Sequence, residues 1–379
     1  MTKKTNKLNI CLMFGGRSTE HDISIISGLQ VYQALNKDKY NVNVIYITKD
    51  NHMLVGPNLH KLKAYQENSF LKHTKEVTIT NIDGKTYIKE KKKEHLVDVF
   101  VPIFHGQGVE DGTISSLLDF VDATYITSDP TSSAISQDKV YTKDILKKYH
   151  VSSPRYVLFK KTEDVDELIK VIGQKLIYPI IIKPTRLGSS IGIEVAKDEE
   201  EVSQKLRNVF RYSSSIIVEE LIKEKKEYNC ACFKYNNRLY LSNIEEVLTN
   251  NDILTFDDKY LKDIKLEQNK QRIIPAQIDA ELEQKIKETT KDIYQILNHQ
   301  GIIRIDYIYD INKKRLFFNE VNTIPGSLAF YLFDKNKLPF DIIIDMLIKE
   351  AILNKQKEKK LIKSFSSNVL NSKSKILKK

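Results

Sequence analysis

Two apolar runs near the C-terminus limit most strongly what this chain can form. They cover residues 302–309 and 315–321, and the polar residues 310–314 between them suit a turn. Apolar and aromatic residues on both sides of a short polar stretch are typical of a β-hairpin. Because side chains alternate between the two faces of a strand, each run presents every second residue on a common face.

One face of this hairpin carries polar side chains. Arg304 and Asp306 share a face of the first strand, and Glu320 and Asn322 share a face of the second strand or of its frayed end. If the two faces coincide, three oxygen ligands suit a hard cation such as Mg²⁺. The neighbouring arginine suits a phosphoryl oxygen or a developing oxyanion. The alternative is a solvated face with ordinary surface charge.

Length and composition set the broad class. A chain of 379 residues exceeds the usual size of one domain, so we expect two or three domains. No apolar run is long enough to span a membrane, and residues 8–14 are interpreted as a buried strand and not as a signal peptide. Cys11, Cys230 and Cys232 lack metal-type spacing, and we expect all three to be reduced in a cytoplasmic protein.

The net charge of +10 is concentrated at the two ends of the chain. Residues 355–379 contain nine lysines and one glutamate, and residues 1–7 contain three lysines. The rest of the chain is therefore nearly neutral, which argues against a nucleic-acid-binding groove. We expect the C-terminal segment to be a mobile basic tail, with polyanion binding as the alternative.

Glycine is scarce and clustered. The chain has 13 glycines, and eight of them fall in four short loops. Such positions need a positive φ or a close approach to a ligand, so these loops indicate a site. The eight residues are Gly15, Gly16, Gly106, Gly108, Gly112, Gly188, Gly192 and Gly326.

Two of the loops follow predicted buried strands of an α/β sheet. Residues 8–14 lead into a Gly-rich turn and a helical pattern at about 23–35, and residues 97–104 lead into His105 and more glycines. Loops at the carboxyl ends of parallel strands commonly bind ligands. Glu20 can cap the helix or hold a substrate ammonium. His105 can be a base, a ligand or a structural group.

A third loop lies between two predicted strands. An apolar run at 177–183 is followed by the small residues 184–192 and by a short strand at 193–195. This order differs from a Walker loop, which precedes a helix. The backbone N–H groups can cradle phosphate oxygens, or the segment can be a plain hairpin.

The remaining elements are predicted from periodicity. Lys139 and Lys143 share one face of a helix, where such lysines are usually solvated. Residues 50–95 are interpreted as insertions and edge hairpins, and residues 250–261 as a polar loop. Strands are predicted at 42–47, 123–126, 215–220, 227–233 and 239–242, and helices at 117–121, 137–146, 280–297 and 341–353.

Taken in order, these loops resemble the D-alanine–D-alanine ligases of the ATP-grasp superfamily. Each motif alone is weak, whereas the ordered set is specific. The matching stretches between residues 8 and 353 are GGRSTEHDIS, HGQGVEDG, QDKVYTK, YPIIIKPTRLGSSIGI, IIVEELI followed by Glu227, DDKY, RIDYIYD and NEVNTIPG.

The resemblance implies an α/β fold with three lobes, the ATP-grasp fold, whose N-terminal domain is Rossmann-like. The implied domains are an N-terminal α/β (pre-ATP-grasp) domain at 1–130, a central ATP-grasp lobe at 131–219, a C-terminal ATP-grasp lobe with the metal site at 220–354, and a basic flexible tail at 355–379.

The resemblance also implies site residues by motif position. The implied ATP-binding residues are Lys139, Lys183, Ser189, Ser190, Glu219, Glu220, Leu221, Glu227 and Lys259. The implied ligands of two Mg²⁺ (or Mn²⁺) ions are Asp306, Glu320 and Asn322. The implied catalytic residues are Glu20, Ser189, Tyr260, Arg304 and Gly326. The implied substrate-binding residues are Glu20, His105, Lys259 and Tyr331.

The implied reaction is the ATP-dependent condensation of two D-alanines through an acyl phosphate, giving ADP and phosphate for peptidoglycan precursor synthesis. The implied protein is a cytoplasmic homodimer that binds small molecules and no nucleic acid. Alternatives are a related ligase with another amino acid or a D-hydroxy acid as second substrate, and a non-catalytic nucleotide-binding homologue.

The sequence departs from the family pattern around the second substrate. Tyr331 stands five residues after Gly326, where the family usually has a serine that helps to bind the second substrate's carboxylate. Because acyl phosphates react with water, the resemblance implies a closing lid at residues 247–262. This predicted lid is short and lacks the usual aromatic run, and Val109 replaces a usual glycine. These changes bear on the second substrate more than on ATP.

Overall fold

The computed structural model describes residues 7–248, 272–334 and 337–367, and the strands in these ranges form four sheets. The N-terminal strands are β1 (Leu8–Gly15), β2 (Tyr40–Ile47), β3 (Met53–Val55), β4 (Lys75–Glu76), β5 (Thr78–Ile82), β6 (Lys85–Glu90), β7 (Lys93–Val97) and β8 (Val99–Ile103). The first sheet has the order β4-β3-β2-β1-β8, and β5, β6 and β7 form a small separate sheet.

The first sheet is parallel at its centre, where β1 pairs with both β2 and β8. Residues 10–14 of β1 are fully buried, as expected for a continuous apolar run in a parallel sheet covered on both faces. The predicted strand at 123–126 is wrong, because this segment makes only an isolated bridge between Tyr125 and Phe100. The helices here are α1 (His21–Ala34), α2 (Leu62–Gln66) and α3 (Thr113–Phe120).

The central region forms a four-stranded antiparallel sheet in the order β11-β10-β12-β9. Its elements are α4 (Pro130–Gln137), α5 (Lys139–Lys147), β9 (Tyr156–Lys160), α6 (Val165–Lys175), β10 (Ile180–Pro184), β11 (Glu194–Ala196), α7 (Glu199–Val209) and β12 (Ser215–Glu220). Helices α4, α6 and α7 were not among the predicted elements. Each begins after an aspartate whose side chain accepts N-terminal N–H groups, which is a standard N-cap.

The C-terminal region forms a five-stranded antiparallel sheet in the order β15-β14-β13-β16-β17. The predicted hairpin is confirmed as β16 and β17. The elements are β13 (Lys225–Tyr235), β14 (Arg238–Val247), β15 (Arg272–Ile273), α8 (Ala280–Ile296), β16 (Ile302–Asp310), β17 (Arg315–Asn322), a 3₁₀ turn (Gly326–Leu332) and α9 (Phe340–Glu358).

Helix α9 packs against the N-terminal elements. Its apolar face shares one core with β1, α1 and the 3₁₀ turn. It continues to Glu358, so the first four residues of the predicted tail are helical. Lys355 is buried there and forms an ion pair with Asp122 at 2.7 Å. No helix in the described ranges is long and apolar enough to cross a membrane.

Part of the predicted lid and of the predicted tail lies outside the described residues. Residues 249–271, which include Lys259 and Tyr260, and residues 368–379 are among them. All three cysteines are described, and they are free and buried, in agreement with the prediction that they are reduced.

Candidate active site

A row of four polar side chains crosses the C-terminal sheet. Glu245 of β14 pairs with Asn229 of β13, Asn229 pairs with Asp306 of β16, and Asp306 pairs with Glu320 of β17. Residues directly opposite each other on neighbouring strands share a face of the sheet. Three carboxylates and one amide therefore lie side by side on one face.

The four hairpin residues singled out in the sequence do come together. Arg304 pairs with Asn322 in the same register that pairs Asp306 with Glu320. Arg304 Nε and Nη2 donate to the two carboxylate oxygens of Asp306 at 2.7 and 2.9 Å, and Asn322 Nδ2 donates to Asp306 Oδ2 at 3.2 Å. The alternative of a solvated hairpin face is wrong, because these groups are partly buried and bound to one another.

A β-bulge in β17 places two successive side chains at the cleft. Between Asp306 and Tyr307 the pairing skips Asn319, so Asn319 and Glu320 both line the same cleft. Lys183 Nζ lies 3.4 Å from Asn319 Oδ1, and Lys139 Nζ lies 3.3 Å from Glu320 Oε2. Bulges commonly re-aim side chains next to active sites in this way.

Two lysines, Lys143 and Lys183, hold one buried glutamate on the opposite wall. Lys183 Nζ donates to Glu219 Oε2 at 2.6 Å, and Lys143 forms an ion pair with the other carboxylate oxygen. Burial by itself raises the pKa of Glu219, but the two ammonium groups outweigh it and hold this pKa at about 2. Lys139 and Lys143 are not solvated, as lysines at such helix positions usually are, since they are 8% and 1% exposed. The burial of Lys143 was missed because its partner is distant in sequence.

A cleft lies between the two antiparallel sheets. Its wall includes seven of the nine residues predicted to bind ATP. These seven are Lys139, Lys183, Ser190, Glu219, Glu220, Leu221 and Glu227. Ser189 lies in the adjoining loop, and Lys259 is outside the described residues.

Glu20 does not cap helix α1. It occupies the N-cap position, but its side chain makes no capping hydrogen bond. The Glu20 carboxylate lies instead next to glycines of two loops. A Cβ atom built on Gly188 would be 2.8 Å from Glu20 Oε1, and one built on Gly106 would be 3.4 Å from it. The carboxylate therefore connects the N-terminal region with the loop that carries Ser189, which is buried with a φ of +53°.

His105, in the loop after β8, is held by hydrogen bonds. Its Nε2 lies 2.9 Å from Ser27 Oγ, and the Ile324 backbone accepts a further hydrogen bond. Burial lowers the pKa of His105 to about 4, although the bond to Ile324 opposes this shift. A neutral, hydrogen-bonded imidazole agrees with the interpretation of His105 as a structural group. Its bond to Ile324 places it beside the turn after β17.

Glu110 is a further residue at this junction that the motif contained but to which no role was given. Its carboxylate accepts from Gly106 N at 2.9 Å, Ile324 N at 3.0 Å and Thr323 Oγ1 at 3.2 Å. Burial, with repulsion from Glu20, raises the pKa of Glu110 to about 7. It fastens the N-terminal loop to the two residues that follow Asn322.

The described residues contain no group of three or more His, Cys, Asp or Glu side chains arranged to hold a metal. The hairpin offers two carboxylates and one amide, which are hard oxygen donors. Ligands of this type suit Mg²⁺ when substrate phosphates and water complete its coordination shell.

Solved structures identify the class of protein. The D-alanine–D-alanine ligase of Coxiella burnetii matches with a TM-score of 0.81 and 23% identity, over 97% of this chain and 99% of that one. The VanG D-Ala:D-Ser ligase of Enterococcus faecalis matches with a TM-score of 0.78 and 27% identity, over 91% and 99%. The fold is thus the ATP-grasp fold, as the resemblance implied.

Sequence comparisons then identify the family. The family models described as D-ala D-ala ligase N-terminus and C-terminus match residues 9–128 and 145–349. The D-alanine–D-alanine ligase of Thermosipho melanesiensis is 37% identical over 97% of this chain and 99% of its own length, and that of Thermosipho africanus is 35% identical over 97% and 99%. This chain belongs to the D-alanine–D-alanine ligase family, which is ATP-dependent.

Proposed function

We propose that this chain joins two D-alanines at the expense of ATP, with an acyl phosphate as intermediate and ADP and phosphate as products. The observation that carries the proposal is the cleft in which Lys139 and Lys183 approach the side chains of Asn319 and Glu320. Cations and oxygen ligands thereby meet between two sheets. The product is a dipeptide for peptidoglycan precursor synthesis.

The first step is the transfer of the γ-phosphoryl group of ATP to the carboxylate of the first D-alanine. Lys139 and Lys183 hold phosphate oxygens, and Ser190 of the Gly-rich loop adds donors. Glu219, Glu220 and Leu221 border the base, and Glu227 holds the ribose. Phosphoryl transfer depends mainly on positioning and charge neutralisation, and the lysines in the described wall of the cleft support this role.

The two carboxylates and the amide of the hairpin are assigned to Mg²⁺. Asp306, Glu320 and Asn322 would hold two ions, whose chemistry is to neutralise and orient the phosphate oxygens. The hardness of the three donors and their shared face support this assignment. Mn²⁺ has similar ligand preferences.

Glu20 is assigned to the ammonium of the first D-alanine, with His105 nearby. The position of the Glu20 carboxylate between Gly106 and Gly188 supports this role. Ser189 and Tyr260 would join Glu20 in closing the site, and Lys259 would reach a phosphate or a carboxylate. Lys259 and Tyr260 lie outside the described ranges, so their roles stay predictions.

The second step is attack of the second amine on the acyl phosphate. The carbonyl oxygen becomes negatively charged, and Arg304 with the Gly326 N–H would donate to it. Phosphate then leaves and the amine loses a proton. Acyl phosphates react with water, so exclusion of water from the cleft is required.

A related ligase with a different second substrate is the second candidate. Tyr331 occupies the place of the family's serine, and the similarity to a D-Ala:D-Ser ligase shows that the same fold accepts another acceptor. ADP release measured with a panel of D- and L-amino acids and D-hydroxy acids separates these activities. Nucleotide binding without any amino-acid-dependent ADP release would instead indicate a non-catalytic homologue.

A cytoplasmic location and a homodimeric state complete the proposal. Both rest on the family resemblance. Light scattering of the purified chain tests the dimer, and fractionation of the source cells tests the location.

A further inference from the structure

Arg272 and Tyr331 form a stacked pair at the edge of the C-terminal sheet. The guanidinium carbon of Arg272 lies 5.1 Å from the centre of the Tyr331 ring. Arg272 belongs to the short edge strand β15, and Tyr331 belongs to the 3₁₀ turn that begins at Gly326. Arginine can stack on an aromatic ring while its N–H edge binds a carboxylate.

The pair is anchored to the polar row that ends at the metal ligands. Arg272 Nε lies 3.6 Å from Glu245 Oε1, and Asn229 Nδ2 donates to Glu245 Oε2 at 2.8 Å. Glu245 is only 2% exposed, so a positive partner stabilises its charge. The next residue in the row is Asp306.

Tyr331 also lies within electrostatic range of the hairpin. Burial raises the pKa of the Tyr331 hydroxyl, as does Glu245, whereas Arg304 and Arg272 oppose the shift. Two arginines and two acids, Glu245 and Asp306, therefore act electrostatically on one hydroxyl. An amino acid entering beside Arg304 would meet this group.

The turn that carries Tyr331 is built against ordinary backbone preference. Ser327, Leu328 and Ala329 have φ values of 49°, 56° and 49°, in the left-handed region that costs roughly 1–2 kcal/mol per residue without glycine. Leu328 and Ala329 are fully buried, and their packing holds the turn in place. Strain of this kind persists where the surrounding structure determines it.

We propose that Arg272, stacked on Tyr331 and held by Glu245, binds the carboxylate of the second amino acid and makes the site selective for acceptors that carry one. The inference rests on the proposed ligase function and names its acceptor class. Arg272 and Tyr331 act as specificity-determining residues, and Glu245 is a positioning residue that acts through Arg272. The tyrosine hydroxyl and the guanidinium together replace the missing serine.

The test compares D-alanine with D-alaninamide as second substrate. D-alaninamide has an amine but no carboxylate, so it cannot be phosphorylated and can react only as the acceptor. Mixed dipeptide amide is measured by mass spectrometry, and KM values for each site come from initial rates. In Arg272→Gln we expect KM for the second D-alanine to rise about 10- to 100-fold, the range for a lost charged hydrogen bond.

The KM values for D-alaninamide, for the first D-alanine and for ATP should change less than about threefold in Arg272→Gln. The preference for D-alanine over D-alaninamide should therefore be lost in Arg272→Gln. Arg272→Lys should retain part of this preference, and Glu245→Gln should have a weaker preference than wild type. Arg238→Gln is the matched control, because Arg238 stacks at 5.2 Å on Tyr240 on the same strand β14, and it should leave selectivity unchanged.

Two results would overturn the assignment of Arg272, and one would overturn the proposed function. An unchanged preference in a folded Arg272→Gln protein, or equal losses with both acceptors, overturns the assignment of Arg272 while the ligase function stands. If wild-type protein releases no ADP with D-alanine, the proposed function fails and this inference fails with it. Thermal unfolding of each variant distinguishes loss of the fold from loss of selectivity.

Discussion

Lys183 Nζ lies 2.6 Å from Glu219 Oε2, and both groups are almost fully buried in the wall of the cleft. Lys143 pairs with the other oxygen of the same carboxylate. One glutamate therefore pairs with two lysines. Burial by itself lowers the pKa of Lys183, but Glu219 outweighs it and the pKa is raised, whereas burial leaves the pKa of Lys143 lowered. Lys183 is predicted to contact ATP phosphate.

Glu219→Gln should destabilise the protein, because it leaves two buried ammonium groups without their counter-charge. Removal of one partner from a buried ion pair typically costs about 3–5 kcal/mol. Urea denaturation without nucleotide measures this cost. Glu194→Gln is the control, since the Glu194–Lys205 pair is partly exposed and should contribute less than about 1 kcal/mol. Equal losses in both variants would contradict the interpretation.

Features that depend on neighbouring residues could be predicted from the sequence, whereas contacts between distant residues could not. The hairpin of β16 and β17 and its shared polar face follow from alternation within about 20 residues, so the positions of Arg304 and Asp306 could be predicted. The ion pair of Lys143 with Glu219 joins residues 76 apart. No periodicity indicates such a contact, and the amphipathic pattern of α5 gave the wrong exposure for Lys143.

The row across the C-terminal sheet shows the same limit. Glu245 and Asn229 join Asp306 only through the register of β13 and β14, which includes a shift between Cys230 and Cys232. A slip of one residue would move their side chains to the other face. The left-handed turn that carries Tyr331 lacks glycine after Gly326, so the sequence contains no local signal for it.

Asp306→Ala and Glu320→Ala should each lower the rate of ADP formation at least about 100-fold, because each removes a proposed Mg²⁺ ligand and not a substrate contact. The measurement is ADP release over a Mg²⁺ titration. Asp306 also binds Arg304 through two hydrogen bonds, so circular dichroism should accompany the assay. Glu283→Gln on the surface of α8 is the control, and a normal Mg²⁺ response in either hairpin variant would refute the metal assignment.

Glu20→Gln should raise KM for the first D-alanine about 10- to 100-fold, since it removes the charge that faces the substrate ammonium. KM for ATP should change less than about twofold, because Glu20 lies at the Gly-rich loops and is absent from the cleft wall. Asp22→Asn, an exposed carboxylate on the first turn of α1, controls for charge at the helix N-terminus. If both variants behaved alike, Glu20 would act only through the helix.

Glu110 should make stability depend on pH. Its pKa is raised in the folded chain from an ordinary 4.5 to about 7, so between these values the folded state binds more protons than the unfolded state. The contribution of this group is therefore present below about pH 4.5 and is lost as the pH rises through about 7. Across that interval the loss is at most about 3 kcal/mol.

Glu110→Gln cannot ionise, so its free energy of unfolding should fall less than that of wild type between pH 5 and about pH 7.5. Urea denaturation at several pH values measures the two slopes, and the slopes are compared because the amide also loses an acceptor for Gly106 or Ile324. Glu94→Gln, in an exposed pair with Lys89, should keep the wild-type slope. Parallel curves for wild type and Glu110→Gln would show that Glu110 is ionised throughout, with its three hydrogen-bond donors outweighing burial.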